Sequence, residues 1–507
     1  MKKLVIFMFF VCCLSVAFSA QQSDLNEVLQ TFRDYALQVQ QKWGIPGMAV
    51  GVVRGDEVLF TEAFGYRSVE MTAPVDLDTT FQIGSTSKAF TSFLVAKAVQ
   101  DGLIKWTDKV RDHYPDFELY DPYVTANMEI RDLMAQHSGL APYSGDLTQM
   151  MGYSPEYLIE RLKYIRPMAT FRTDFTYVNS LFLVAGKIVE NIAGQSYEEL
   201  LQRQVFDPLG MEDTGVSYEK HVNNENRTIT HVFELMTGDE PTEISVIPID
   251  CHAEGFEWSY HFAPAGGIDS SLADMVEWLK LHVNDGCVNG KQLIAPQYLN
   301  RLYQPATLVH SNKHGQLAAY CQGWVYETVG DYTMIWHNGS TVGSKTMIAF
   351  FPELDTGIVI LTNMGGMNFP DNLTRDFLDL LVGNPFRQLA LKEVDEVLSA
   401  DIPVEIQQSE ASPAMSNEAY TGLYFNEVYG EMEVYAADDK LFIRIGPNES
   451  VIELRHVNRD TFDLFWDVMH FGEMGRGTFR IDAAGYAVTL SIDLFEEEGS
   501  GVFTRIK

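Results

Sequence analysis

Ser85-Thr86-Ser87-Lys88 sets a hydroxyl and an amine three residues apart, and on a helix that spacing puts both on one face. The tetrapeptide opens an apolar stretch, Phe90 to Val99, that stops at Gly102 and reads as a buried helix. At a helix start the backbone N–H groups are free and the dipole is positive, so an oxyanion forming at Ser85 would be stabilised there. A lysine buried beside that helix is disfavoured as an ammonium, which is the condition for a base near neutral pH. The chemistry implied is nucleophilic attack by Ser85 with Lys88 taking its proton.

Spacing alone does not select this pair. Ser217-Tyr218-Glu219-Lys220 repeats the pattern, but it runs into the polar stretch His221 to Asn226 and has no apolar helix to bury its lysine. A helix cap with a solvated lysine accounts for that copy. Two further elements single out the first. Tyr177-Val178-Asn179 stands just before another apolar helix, and His337-Asn338-Gly339 ends a strand that begins at Tyr332. Each tripeptide has rivals: Tyr298-Leu299-Asn300 and Tyr424-Phe425-Asn426 for the former, His137-Ser138-Gly139 and His470-Phe471-Gly472 for the latter. Order along the chain and placement on suitable elements decide between them.

The elements that must position these residues alternate from Gly44 to about Asn363. Met48–Val53 and Val58–Phe60 read as paired strands turned at Arg54-Gly55-Asp56. Phe182–Ile192 and Met275–Leu281 carry helical periodicity, and Tyr332–Trp336, Thr346–Phe351 and Gly357–Leu361 are three strands in succession. Strands first, helices between and strands last suit one sheet built from both ends of the region. A charged stretch with Pro403 and Pro413, residues 389–416, reads as a linker. Residues 417–507 hold short strands at regular spacing, the rhythm of a small antiparallel barrel.

The 507 residues are 46% apolar, enough to bury a large core, and the formal charge of −34 argues against nucleic acid or an anionic membrane surface as partner. Residues 1–20, with Met1-Lys2-Lys3, an apolar run from Leu4 to Phe18 and small residues to Ala20, match a secretory leader and predict a periplasmic or secreted protein. Beyond the leader only Cys251, Cys287 and Cys321 remain, which allow one disulfide at most. His252, His261 and His282 lack the spacing of a zinc site, so no metal or other cofactor is expected.

Ser85-x-x-Lys88, Tyr177-x-Asn179 and His337-x-Gly339, in that order, resemble the three elements of the class C β-lactamase, D,D-peptidase and esterase superfamily. Flanking text agrees, from Ile45-Pro46-Gly47-Met48 through His137-Ser138-Gly139-Leu140 and Pro208-Leu209-Gly210-Met211 to Tyr320-x-x-Gly323-Trp324. The tail is similar to the lipocalin-like domain that follows some members. The resemblance implies an α+β fold of the β-lactamase and penicillin-binding-protein type: an antiparallel sheet flanked by helices with a helical subdomain over residues 21–388, then the barrel. It implies an acyl-enzyme at Ser85, with Lys88 and Tyr177 sharing the proton relay and the choice of primary base left open. Asn179 would bind the substrate amide and Lys88, and His337, Gly339 and Ser340 would line the substrate strand, Ser340 N–H completing the oxyanion hole. Lactamases usually carry lysine where His337 stands; an imidazole with an ordinary pKa near ~6.5 is mostly neutral at pH 7 and attracts a carboxylate weakly. The expectation is therefore hydrolysis of a small ester, an amide or a short D-amino-acid-containing peptide ahead of β-lactam hydrolysis or D,D-carboxypeptidase action. A module that only binds cell-wall peptide or lipid is the alternative from another class, and the barrel could cap the mouth of the site.

Overall fold

Apolar runs at both ends of the first region pair directly with each other. The computed structural model describes residues 25–236, 243–312, 316–400, 412–469 and 472–507; the proposed leader lies outside the described residues, as do His470 and Phe471. Helix α1 covers residues 25–43 and leads into strands β1 (Gly47–Arg54) and β2 (Glu57–Gly65). The helices that concern the site follow: α2 (Ser87–Gln100), the short α3 (Asp146–Met150), α4 (Ser180–Ala193) and α5 (Leu272–Val283). Six more sheet strands come last: β3 (Thr307–Ser311), β4 (Leu317–Tyr320), β5 (Val325–Val329), β6 (Tyr332–Ser340), β7 (Lys345–Phe351) and β8 (Thr356–Thr362).

These eight strands form one antiparallel sheet in the order β2-β1-β8-β7-β6-β5-β4-β3. The first and last parts of the region meet where β1 pairs with β8, Met48 opposite Thr362 and Arg54 opposite Thr356. The central strands are buried on both faces, so they read as unbroken apolar runs rather than alternating ones. Within β7, Ile348 and Phe350 point into the core shared with α2 and α5, while Met347, Ala349 and Phe351 point towards α1. Gly51 of β1 lies against α5, where an added Cβ would come within 2.8 Å of Val276. Helix α2 is buried along most of its length between the sheet and α4, so its sequence is apolar all round rather than on one stripe.

Two helices close the first region, α6 (Phe369–Val382) and α7 (Leu389–Ser399). Helix α7 corrects the expected linker, which was read to start at residue 389. Ala390 and Val394, four apart, are fully buried against the sheet's second core, and Asp376 of α6 accepts hydrogen bonds from Leu389 N and Ala390 N at 2.9 and 3.0 Å. Lys392, Glu393, Asp395 and Glu396 give that helix its charged, linker-like composition.

The C-terminal region is a closed eight-strand barrel, as expected of a lipocalin-like tail. Its strands are β9 (Gly422–Asn426), β10 (Gly430–Ala437), β11 (Lys440–Ile445), β12 (Ser450–Asn458), β13 (Thr461–Trp466), β14 (Gly472–Ile481), β15 (Ala487–Ile492) and, after helix α8 (Asp493–Glu497), β16 (Val502–Arg505). Each pairs with the next, and β9 closes on β16 through Tyr424–Arg505 and Phe425–Thr504. Inward residues include Tyr420, Tyr424 and Trp466, all fully buried, so bulky side chains fill the barrel interior. No helix among the described residues is long and apolar enough to cross a membrane, and Cys251, Cys287 and Cys321 are free thiols.

Candidate active site

Ser85 sits in a single 3-10 turn, Gly84–Thr86, that runs straight into α2. Close approach of strand β6 shapes this turn. Gly84 has φ +52°, and an added Cβ there would lie 2.5 Å from Ser340 N. Gly339 meets the same constraint from the strand side, because its Cβ would fall 1.9 Å from the carbonyl oxygen of Ile83. That carbonyl accepts from Thr86 Oγ1 at 2.9 Å and Thr346 Oγ1 at 2.8 Å, which ties turn and sheet together. The two glycines therefore let the backbone at Ser85 lie against the backbone at Ser340.

Lys88, one turn beyond Ser85 at the start of α2, is fully buried. Its Nζ donates to Ser85 Oγ at 3.0 Å and to the carbonyl of Ala265 at 2.7 Å, and lies 4.8 Å from the ring centre of Tyr177. Loss of hydration pushes its pKa down to about 7, with the Asp146 carboxylate acting in the opposite sense. Among the described residues no ion pair holds the amine; a carbonyl and a hydroxyl do.

Tyr177 arrives on the segment before α4. Gln136, in a left-handed conformation at φ +56°, grips that segment twice: its side chain accepts from Val178 N at 2.6 Å and its carbonyl from Thr176 N at 3.0 Å. Tyr143 N adds a bond to the Tyr177 carbonyl at 2.8 Å. The Tyr177 phenol lies near Ser85 in the cavity wall, and burial holds its pKa well above the usual phenol range, so it is a proton donor at neutral pH.

Asn179 follows, and here the geometry departs from expectation. Its Nδ2 donates to Asp146 Oδ2 at 2.5 Å, and among the described residues it makes no hydrogen bond to Lys88, whose amine is already taken up by Ser85 and Ala265. Its Oδ1 is buried and has no protein partner, which leaves an acceptor facing the cavity.

His337 also departs from expectation. It is buried, with Tyr320 Oη at 2.9 Å from Nε2 and its own neighbour's carbonyl, Asn338 O, at 2.6 Å from Nδ1. Both ring nitrogens are engaged, and the residue does not line the cavity. Burial, and then the nearby Lys88, push its pKa down to about 3, so the imidazole is neutral as anticipated but braces Tyr320 instead of touching substrate. Alternation along β6 turns Asn338 and Ser340 to the opposite face from His337, and those two do line the cavity. Gly339 contributes by its missing side chain alone.

The cavity in front of Ser85 has a volume of about 440 Å³ and is walled by Ser85, Tyr177, Asn179 and Ser340 together with groups that sequence reasoning did not find. These are the aromatic side chains of Tyr143, Phe175, Trp258 and Phe262, the carboxyl of Asp146 and the amine of Lys345. Lys345 is placed beside Ser340 by strand pairing of β7 with β6. That pairing was the one signal available in the sequence, since both strands were legible. Among the described residues, none from the barrel lines the cavity. The second Ser-x-x-Lys behaves as a cap: Ser217 Oγ accepts from Lys220 N at 3.4 Å, and Lys220 Nζ donates to the carbonyl of Thr214.

The chain is similar to known proteins in sequence and in fold. The chain is 25% identical over 464 residues to the unguisins hydrolase ungD of Aspergillus violaceofuscus, covering 83% of this chain and 80% of that protein. Protein flp of Staphylococcus aureus is 24% identical over 340 residues, with 65% of this chain and 62% of flp covered. In fold it is similar to the octameric penicillin-binding protein homologue from Pyrococcus abyssi, with a TM-score of 0.59 and 19% identity, over 94% of this chain and 99% of that one. The family model for a domain of unknown function, DUF3471, matches residues 407–501, the barrel region. The Beta-lactamase family model matches residues 32–382, the span that holds the sheet, Ser85, Lys88, Tyr177 and His337, and the chain belongs to that family.

Proposed function

We propose that the protein is an exported serine hydrolase that cleaves a small ester, an amide or a short peptide, including peptides with D-amino acids, through an acyl-serine intermediate. The observation that carries this reading is the 3.0 Å contact between a fully buried Lys88 amine and Ser85 Oγ. With its pKa pushed down to about 7, Lys88 exists in good part as the free amine at neutral pH and can take the serine proton as Oγ bonds to the substrate carbonyl. The backbone N–H groups of Ser85 and Ser340, brought together by Gly84 and Gly339, stabilise the oxyanion. Tyr177, held protonated, donates to the leaving oxygen or nitrogen as that bond breaks. The Lys88 ammonium then returns its proton to Tyr177, so that the free amine can take a proton from the water that attacks the acyl-enzyme, and Ser85 Oγ recovers that proton as the acid leaves. This assigns the base to Lys88 and the acid to Tyr177, a choice the sequence left open. Asn179 Oδ1 is available to accept from a substrate N–H.

A second reading rests on Lys345. Because His337 is neutral, the sequence argued against substrates bearing a carboxylate, but Lys345 brings an amine to the cavity from the neighbouring strand. That supports D,D-carboxypeptidase-like or β-lactam substrates as the alternative. A binding module with the barrel as its ligand site is less well supported, because bulky side chains occupy the barrel interior. Export rests on residues 1–20 and is checked by the N-terminus of the protein recovered from the periplasm or medium.

Labelling with a fluorophosphonate tests the central reading. The expected result is one adduct on Ser85 that is absent in Ser85→Ala; a folded protein with no adduct, or with one elsewhere, refutes it.

A further inference from the structure

Tyr177 stands on a stretch, residues 168–178, that is neither helix nor strand, so no backbone ladder fixes its place beside Ser85. A second irregular stretch, residues 136–139, does so instead. Thr176 N and Val178 N, on either side of the tyrosine, donate to the carbonyl and the side chain of Gln136. Further back, Arg172 N donates to His137 O at 2.8 Å, and Met168 N and Ala169 N donate to Gly139 O at 2.9 and 3.1 Å. Both stretches hang on one carboxylate. Asp132, 1% exposed, accepts from Arg172 Nε at 3.0 Å and Nη2 at 2.5 Å, and meets His137 Nε2 at 2.9 Å. The other ring nitrogen, His137 Nδ1, lies 2.8 Å from Thr307 Oγ1 at the start of β3, which ties the group to the sheet. Arg172 and Gln136 both take left-handed φ, +62° and +56°, a conformation that costs a non-glycine residue energy and persists where neighbours enforce it.

We propose that Asp132, His137 and Arg172 form a clamp that holds Tyr177 where it can protonate the leaving group. The inference rests on the serine-hydrolase reading above, in which Tyr177 is the acid. The three are positioning residues: Phe175 and Tyr177 line the cavity, and none of the clamp does. The planar guanidinium of Arg172 meets both oxygens of the carboxylate, a fit that fixes direction as well as distance. His137 takes the same carboxylate from the other side, next to Gln136 in the chain. One buried group thus joins the approach to Tyr177 and the stretch that grips its two neighbours. Proton transfer needs hydrogen-bond reach, and a misplacement of about 1 Å caused far from the chemistry can cost about a hundredfold in rate. His137-Ser138-Gly139, set aside in the sequence as a rival of His337-Asn338-Gly339, has its place here, as support for the acid.

A misplaced acid has a chemical signature. An alkoxide must gain a proton to leave, whereas p-nitrophenolate leaves as the anion. Arg172→Met therefore lowers kcat/KM for the ethyl ester of butyric acid by about tenfold to a hundredfold. For the p-nitrophenyl ester of the same acid the fall is about threefold or less, because that leaving group does not call on Tyr177. Arg172→Lys keeps the charge but not the two-pronged fork, and falls between wild type and Arg172→Met. Tyr177→Phe sets the full size of the difference between the two esters.

The experiment measures kcat/KM, which reports the steps up to departure of the leaving group, for both esters in the full-length wild type and these three variants. Fluorophosphonate labelling of Ser85 and thermal midpoints are recorded alongside. Selective loss on the ethyl ester in Arg172→Met, with labelling kept and partial recovery in Arg172→Lys, is the expected result. An equal loss on both esters in Arg172→Met, as general damage to the fold would give, or no loss on either, overturns the inference and leaves the hydrolase reading intact. Equal losses in Tyr177→Phe remove the acid role of Tyr177 and the inference with it. A wild type that is unlabelled at Ser85, or that cleaves neither ester, overturns both the reading and the inference. Should Arg172→Met not fold, the same ratio in Arg172→Lys decides the matter.

Discussion

Replacing Lys88 by methionine should abolish acylation of Ser85 and stabilise the fold. The lysine's pKa falls from 10.5 to about 7 on burial, and at 1.36 kcal/mol for each pH unit that is a cost of about 5 kcal/mol for placing this amine where it is. Methionine matches the length of the side chain without an ionisable group. The substitution leaves the carbonyl of Ala265 without its 2.7 Å donor, a loss of about 1–3 kcal/mol. The net expected gain at neutral pH is about 2–4 kcal/mol, an upshift of several degrees in the midpoint of the first region. The pH dependence distinguishes this origin from better packing. Below pH 7 both native and unfolded lysine are protonated and the full cost is present. Between about pH 7 and about pH 10.5 the unfolded chain binds more protons than the native one, so wild-type stability rises with pH and the advantage of the variant shrinks. Melting curves from about pH 6 to about pH 9.5 read this directly, and ester turnover or fluorophosphonate labelling reads the chemistry. A variant less stable than wild type, an advantage that does not change with pH, or surviving acylation would refute the assignment of Lys88 as a buried, functionally neutral base.

Three further outcomes follow from contacts at the site and at its decoy. Gly339→Ala should lower kcat by about two to three orders of magnitude, as loss of an oxyanion donor does, because the new Cβ meets the Ile83 carbonyl and forces β6 away from Ser85; unchanged kcat in a steady-state ester assay would contradict the proposed hole. Lys345→Met should raise KM for substrates with a free carboxylate and leave neutral esters unaffected, which a matched ester and acid pair will show. Ser217→Ala should cost about 1 kcal/mol through loss of a helix cap and leave the rate of Ser85 labelling unchanged.

The pairing of Ser85 with Lys88 was legible because its determinants are local. Three residues fix the face that Ser85 and Lys88 share, and the apolar run to Val99 announces that the lysine is buried. The sheet's central strands were legible for a related reason: burial on both faces leaves β1, β7 and β8 without polar interruption. Strands with one wet face were harder. β3 exposes Leu308 through Ser311, and β12 alternates buried Ser450, Ile452 and Leu454 with outward Val451, Glu453 and Arg455, so neither stood out from a loop. Helix α7 was hidden by its charges. His337 was found by position but not by direction, because strand period gives the face of a side chain and says nothing of the partners waiting there, in this case Tyr320 and the Asn338 carbonyl.

Asp146 and Glu498 mark where reading along the chain ends. The contact that brings the barrel to α3 spans 351 residues, and neither carboxylate belongs to a spacing pattern; each looks like one more acidic residue on a strongly acidic chain. Their meaning comes from burial, since a carboxyl group taken out of water away from a cation is disfavoured in its charged form. The same argument explains why Lys88 can stay without an ionised partner at 3 Å. A fully charged Asp146 beside it would restore its affinity for a proton and cost the enzyme its base. Loss of hydration raises the pKa of that aspartate to about 7, so it is only partly ionised at neutral pH. The barrel reaches this part of the site through Glu498, whose carboxylate accepts from Leu147 N one residue beyond the aspartate.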